Sequence, residues 1–197
     1  EISEGGSKTR FIIGKYGSGK SFLIQLLRGY ALEKGFVCVD CDLSPERRIC
    51  GRAGTGLATY KELMKNLSTK VSPDGNGLQG LISKWLDKLS SELAAGGLTP
   101  DTPAFDAELS ARVYRTAAEM EGQVGGFDFA RVIIAFYRAS KEGDDDTRSA
   151  CLRWLRGEYA TKTEARRELS VGSVIDDDNW FDFIKLFALF VRKIGYT

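Results

Sequence analysis

The chain of 197 residues contains no histidine, and this absence excludes more chemistry than any other feature of its composition. Without imidazole there is no His metal ligand and no His general base, so the His-dependent hydrolase mechanisms are excluded. Cysteine is also scarce, and the four residues Cys38, Cys41, Cys50 and Cys151 show no regular spacing. No apolar run approaches the roughly 18 residues of a membrane span. We therefore expect a cytoplasmic protein that makes no membrane contact.

The chain also lacks a strong net charge. Lys and Arg number 28 against 27 Asp and Glu, which gives a formal charge of +1. A balance this close does not predict nucleic-acid or membrane binding by bulk electrostatics. The charge is unevenly distributed, because residues 1–70 carry a net +5 and residues 71–197 a net −4. The basic part of the chain also holds its strongest motif.

With 43% hydrophobic residues, the chain falls in the globular class. Residues 10–13 form a short β-rich apolar run, and Lys20 to Glu33 show helical periodicity that ends before Gly35. A second apolar run, 36–39, is followed by Asp40 and Asp42. This order predicts a βαβ unit of a parallel sheet, with the glycine-rich loop where such sheets bind ligands.

The loop between the first predicted strand and helix matches the phosphate-binding pattern GxxxxGK[ST] in full. It reads Gly14-Lys15-Tyr16-Gly17-Ser18-Gly19-Lys20-Ser21. Glycines in such a loop allow backbone N–H groups to face bound phosphates, and the following helix directs its positive end at them. The expected nucleotide-binding residues are Gly14, Tyr16, Gly17, Ser18, Gly19, Lys20 and Ser21. Lys20 is expected to reach the β- and γ-phosphates, and Ser21 to coordinate Mg²⁺.

Hydrolysis normally requires a second strand that ends in an acidic residue, and no such strand is evident after the helices. The only apolar run that ends in acids is 36–39, followed by Asp40 and Asp42. One alternative is therefore a small-molecule kinase, with Asp40 and Asp42 at the acceptor and Arg47 or Arg48 on phosphates. A second alternative is a non-enzymatic helical interaction module in which the loop acts as a nucleotide switch.

Beyond Asp42 the sequence predicts helices and no convincing third strand. The predicted helical stretches include 78–89, 106–119, 127–142, 148–159 and 179–194, and another begins after Thr163. The predicted fold class is thus α/β, a P-loop NTPase βαβ start with an incomplete parallel sheet and a large all-helical insertion. The predicted divisions are a nucleotide-binding part, 1–58, and a helical subdomain, 59–197.

Several stretches together resemble the ATP-binding protein of bacterial BREX phage-defence systems. They are 5–21 with the phosphate-binding pattern, 42–48, 56–60, 152–159, 161–166 and 175–180, so the resemblance spans nearly the whole chain. The resemblance implies an AAA+-like ATPase that binds ATP and Mg²⁺, works in a defence complex and is longer than this sequence. The motif itself does not distinguish ATP from GTP.

The resemblance further implies that an apolar strand ending in Asp-Glu follows the segment matching Gly195-Tyr196, whereas this sequence ends at Thr197. We interpret the sequence as an N-terminal fragment that binds nucleotide, with hydrolysis needing residues beyond it. DNA binding is expected only of the full-length protein.

Two further patterns allow both a functional and a structural interpretation. Cys38 and Cys41 form a C-x₂-C pair, but residues three apart in a strand point to opposite faces and no four-ligand set is complete, which favours core thiols over zinc. The aromatic-rich last helix is expected to pack against the absent strand. Its uncovered face would then favour self-association.

Overall fold

The computed structural model of the chain describes residues 6–49, 54–119 and 125–196. Within these residues it contains eight α-helices. They are α1 (Lys20–Glu33), α2 (Thr55–Lys65), α3 (Leu78–Ala95), α4 (Pro103–Ala118), α5 (Gly126–Glu142), α6 (Asp145–Leu155), α7 (Lys162–Leu169) and α8 (Trp180–Lys193). The helix predicted after the phosphate-binding pattern has the expected bounds, and the later helices lie close to theirs.

The predicted α/β fold class is wrong for the described residues, which form no sheet and only two isolated antiparallel bridges. The first predicted strand pairs with no other described segment, and Phe11 and Ile13 are 87% and 95% exposed. The second is reduced to one bridge between Cys38 and Ser68, with N–H···O distances of 3.0 and 2.8 Å. An apolar β-rich run becomes a sheet strand only when a neighbouring strand takes up its backbone hydrogen bonds.

The hydrophobic core is formed by the helices from α2 onward. Helices α4 and α5 bury one face each, with Leu109 and Val113 on α4 and Ile133 and Phe136 on α5 almost inaccessible to solvent. These residues recur at helical spacing, so each helix presents a continuous apolar stripe to its neighbours. The predicted amphipathic patterns thus correspond to helix-on-helix packing.

The last helix, α8, lies at the centre of this core. The Phe190 ring centroid lies 4.9 Å from that of Trp85 on α3 and 5.1 Å from that of Phe129 on α5, and Phe183 lies 5.5 Å from Trp154 on α6. These are edge-to-face contacts, an arrangement that aromatic rings prefer. The prediction that α8 packs into the core is confirmed, because its apolar residues are buried against other helices. Its packing against a strand stays a prediction, since the described residues form no such strand.

Three helices begin with a side-chain cap. The hydroxyls of Thr102 and Thr161 and the carboxylate of Asp144 each accept a hydrogen bond from the backbone N–H three residues later. Such caps satisfy one of the free N–H groups at a helix start. The acidic run at Asp144 therefore caps the start of α6.

Helix α1 is joined to this core mainly through its C-terminal half. Leu32 is its buried residue, and the Arg28 guanidinium donates hydrogen bonds of 2.5 Å to the Ser68 hydroxyl and to the Pro73 carbonyl. The apolar residues nearer its start are exposed, with Phe22 at 75% and Tyr30 at 57%. The glycine-rich loop at the start of α1 therefore faces open solvent.

Among the helices of the described residues, none is both long enough and apolar enough to cross a lipid bilayer.

Candidate functional site

The loop that precedes α1 depends on glycine in two ways. Gly17 and Gly19 adopt φ angles of 77° and 82°, in the left-handed region that side chains disfavour. Gly14 has a different role, because a Cβ atom at that position would lie 2.5 Å from the Ser18 hydroxyl oxygen. A side chain at Gly14 would therefore require the Ser18 hydroxyl to move.

The loop presents a group of free backbone donors. Ser18 N–H donates to the Lys15 carbonyl at 3.2 Å, and Leu23 N–H to the Gly19 carbonyl at 2.9 Å. The N–H groups of Gly17, Gly19, Lys20 and Ser21 donate no hydrogen bond to any described residue. The first turn of α1 contains no acidic residue. Free N–H groups and the positive end of a helix dipole together attract an anion.

The Lys20 ammonium group is held by the loop itself. Its Nζ donates hydrogen bonds to the carbonyl oxygens of Gly14, at 2.9 Å, and Lys15, at 2.7 Å. The two contacts hold the Lys20 side chain against the loop and keep its positive charge at the start of α1. Lys20 is also the only residue from 14 to 21 that is half-buried. A phosphate bound by the loop would compete with these carbonyls for the ammonium.

The remaining predicted nucleotide-binding residues are solvent-exposed. Tyr16 is fully exposed at the loop tip, and Ser21 lies in the first turn of α1 beside Lys20. The structure thus gathers the residues from Gly14 to Ser21 in one loop and helix start. Among the described residues, no cluster of three or more acidic or Cys side chains would hold a metal ion.

The two candidate acids are differently placed. Asp40 Oδ1 lies 3.3 Å from Arg28 Nε, so the carboxylate of Asp40 is neutralised by a cation of α1. The Asn66 amide also donates to the Asp40 carbonyl at 3.0 Å. Asp42 is exposed, and its carbonyl accepts a hydrogen bond from Arg47 Nε at 3.0 Å. No sequence motif marks Arg28, which lies two helical turns beyond the loop.

The arginines of the following turn are also tied to local partners. Arg47 lies 3.8 Å from Glu62 of α2, and its backbone forms a tight turn with Ser44. Arg48 is exposed, and its carbonyl accepts a hydrogen bond from the Thr59 hydroxyl. Both arginines thus lie in a surface turn and contact neighbouring residues of the chain.

The cysteines near the second predicted strand are free thiols. Cys38 and Cys41 are half-buried, and partial burial raises the pKa of both thiols above the usual value. A raised pKa favours the protonated thiol, which is a poor metal ligand. Cys50 lies outside the described residues.

The stretch 175–180 has a structural role. The Asp177 carboxylate accepts hydrogen bonds from the backbone N–H groups of Gly54 and Leu57 at the start of α2, the second at 3.0 Å. Gly56 packs against the Trp180 indole so closely that a side chain there would overlap the ring. These contacts between residues far apart in sequence connect the start of α2 to the start of α8; we call them a joint.

A second joint connects α6 to α7 through the stretches 152–159 and 161–166. The Arg153 guanidinium lies over the Tyr159 ring, 4.2 Å from its centroid, and 2.6 Å from the Glu164 carboxylate. Tyr159 donates a hydrogen bond of 2.5 Å to Glu168, which lowers the pKa of that carboxyl group. These charged residues of the helical part thus stabilise helix packing.

A family model described as "BREX system ATP-binding protein BrxC/D" matches residues 1–197. No curated protein and no solved structure matched the chain. Because the family model covers the whole sequence, the chain belongs to the family of BREX system ATP-binding proteins BrxC/D.

Proposed function

We propose that this chain binds Mg-ATP through the loop from Gly14 to Ser21. The family is one of ATP-binding proteins of a defence system. The observation that carries the proposal for this loop is its set of four free backbone N–H groups at a helix start without acidic residues. Such an arrangement attracts the phosphates of a nucleotide.

The roles of the individual residues follow from their positions. Lys20 exchanges its two carbonyl contacts for the β- and γ-phosphates, and Gly17, Ser18 and Gly19 contribute backbone donors. Ser21 offers its hydroxyl to Mg²⁺. Tyr16, exposed at the loop tip, lies where its ring can contact the nucleotide.

We further propose that binding occurs without turnover in this chain. Asp40 is paired with Arg28, which removes it from the role of a free general base. The same pairing disfavours the kinase alternative, since a kinase would use the Asp40 carboxylate at the acceptor. The activity of the protein in its defence system is then an ATPase cycle of an AAA+-like protein in which nucleotide binding drives conformational change or assembly.

The experiment is a calorimetric titration of the chain with a non-hydrolysable ATP analogue, with and without Mg²⁺. Binding should be lost in Lys20→Ala and kept in Lys15→Ala, a matched control in which a lysine of the same loop is removed while its carbonyl remains. Weaker binding without Mg²⁺ supports the role of Ser21. Equal binding by Lys20→Ala and the unmodified chain would contradict the proposed site. In a separate assay with ATP itself, steady phosphate release that Lys20→Ala abolishes would contradict binding without turnover.

We also infer self-association through α1. The exposed apolar residues of this helix recur on one side at intervals of four, namely Phe22, Leu26 and Tyr30. Residues 10–13 add exposed apolar side chains and backbone groups that form no hydrogen bond with any other described backbone group. A second copy offers the same surface, so each copy can cover the other. Other subunits of a defence complex are the alternative occupants.

A further inference from the structure

A cleft with a volume of about 420 Å³ lies between α4, α5 and the end of α7. The polar groups that line it are Ser110 and Tyr114 of α4, Arg131 and Arg138 of α5, and Ser170. Its apolar lining includes Ile134 and Leu169. The cleft shares no residue with the loop from Gly14 to Ser21, and neither the sequence motifs nor the family description account for it.

Contacts within the chain hold the Arg131 side chain and the Tyr114 ring in place at this cleft. The Arg131 guanidinium donates a hydrogen bond to the Ser170 carbonyl and lies 5.2 Å from the centroid of the Phe127 ring. Phe127 in turn stacks on Tyr114, with centroids 5.6 Å apart and ring planes inclined by 29°. The contacts hold the Tyr114 ring at the cleft without using its hydroxyl group.

The second cation is free to bind a ligand. Arg138 follows Arg131 by seven residues, or two helical turns, which places it about 10 Å further along the same side of α5. Arg138 is exposed, and it makes no ion pair or hydrogen bond with any described residue. A guanidinium group offers several N–H donors in one plane, which suits the oxygens of an oxyanion.

No acidic side chain lines the cleft. Asp128, one turn before Arg131, instead accepts hydrogen bonds from the backbone N–H of Gly172, at 3.1 Å, and from the Ser173 hydroxyl, at 2.6 Å. The hydroxyl groups of Ser110, Tyr114 and Ser170 have no hydrogen-bond partner among the described residues. The cleft therefore combines uncompensated positive charge with unused hydroxyl donors.

We propose that this cleft binds a phosphate group, carried either by the free ion or by a mononucleotide. Two guanidinium groups and three hydroxyls offer more donors than the two oxygens of a carboxylate accept, whereas a phosphate presents three or four acceptor oxygens. Arg138 supplies the charge that is not yet engaged. The ring of Tyr114 and the apolar side chains of Ile134 and Leu169 lie where the ring of a nucleoside would be in contact.

The test uses the Lys20→Ala chain, so that the glycine-rich loop contributes little to phosphate binding. Inorganic phosphate and adenosine monophosphate are titrated separately and followed by amide chemical shifts of α4, α5 and α7. Arg138→Gln should weaken the binding of both probes about tenfold, since a hydrogen bond to a charged group is lost. Arg192→Gln is the matched control, because Arg192 is exposed on α8 and makes no ion pair with a described residue.

Unchanged binding in Arg138→Gln, equal weakening in Arg192→Gln, or no shift with either probe would overturn the proposal. Tighter binding of the mononucleotide, reduced by Tyr114→Ala, supports it with a nucleotide as the ligand. Equal affinity for the two probes supports it with the free ion as the ligand. The outcome is independent of nucleotide binding at Gly14 to Ser21, because every variant carries Lys20→Ala.

Discussion

The carboxylate of Asp177 accepts a hydrogen bond of 3.0 Å from the backbone N–H of Leu57, 120 residues earlier in the chain. This bond places a negative charge at the start of α2, where the helix dipole is positive and N–H groups lack partners. It acts together with the close packing of Gly56 on Trp180. The segment that follows the phosphate-binding part is therefore tied directly to the beginning of α8.

Asp177→Ala should lower the free energy of unfolding by about 1 kcal/mol, the usual cost of removing a helix N-terminal cap. Asp177→Asn is the matched variant, because an amide oxygen still accepts from N–H groups while the charge is lost. In urea denaturation we expect the asparagine variant to have a free energy of unfolding between those of the alanine variant and the unmodified chain. An alanine variant as stable as the unmodified chain would show that this bond contributes nothing to the joint.

The close approach of Gly14 to Ser18 predicts a pair of coupled substitutions. Gly14 does not have a positive φ, so an alanine there is opposed by the contact with the Ser18 hydroxyl and not by its backbone conformation. Gly14→Ala should weaken binding of the ATP analogue about tenfold by distorting the loop. Adding Ser18→Ala removes the oxygen and leaves a Cβ contact of 3.5 Å, which is ordinary, so affinity should recover.

Calorimetric titration of the two single variants and the double variant gives the coupling between the positions. If Gly14→Ala and Ser18→Ala reduce affinity independently, with no recovery in the double variant, the close approach does not shape the site.

The helices were largely predictable because their apolar residues recur at helical spacing and their ends carry capping or turn residues. The bounds of α1 agree with the pattern, and α8 differs by one residue at each end. Thr59 to Glu62 match the pattern of a capping box, yet α2 begins at Thr55 and the Thr59 hydroxyl donates to the Thr55 carbonyl. The local pattern at Thr59 cannot show that the start of α2 is bound by Asp177, which is far away in sequence.

Strand pairing was not predictable in the same way, because it depends on residues distant in sequence. The run at Phe11 and Ile13 has a strand composition but no partner, whereas Cys38 pairs with Ser68, a residue with no apolar pattern around it. The glycine-rich turn before α1 was predictable because its glycines and the helix start that follows are local features. That this loop binds phosphate stays a prediction. The hydrogen bonds from Lys20 to the carbonyl oxygens of Gly14 and Lys15 could not be predicted from the spacing of residues in the motif.

The joint between α6 and α7 predicts a pH dependence of stability. The hydrogen bond from Tyr159 lowers the pKa of Glu168 in the folded chain, with a smaller contribution from Arg153. A carboxyl group with a lowered pKa stabilises the fold above its unfolded pKa of about 4.3 and loses this effect as the pH falls through the folded value. Glu168→Gln should therefore be less stable than the unmodified chain at neutral pH.

The measurement is the free energy of unfolding of both proteins from neutral pH into the acid range below the ordinary pKa of glutamate. The difference between them should shrink as the pH falls, because a protonated Glu168 resembles glutamine. Other carboxyl groups, such as Glu119 and Asp144, also have lowered pKa values, but they titrate equally in both proteins. A difference that stays constant with pH would show that Glu168 acts by packing alone.

The exposed side of α1 predicts concentration-dependent self-association. Phe22 and Leu26 lie one turn apart on this helix, 75% and 45% exposed, and burying such side chains against a second copy removes apolar area from water. We expect light scattering to show a mass above that of one chain, falling to the monomer value in the double variant Phe22→Gln and Leu26→Gln. Val71→Gln is the control, because Val71 is 84% exposed outside the helix and should leave the mass unchanged. A monomer at high concentration, or a mass that falls equally in the control, would contradict association through α1 and leave other subunits as the partners that cover it.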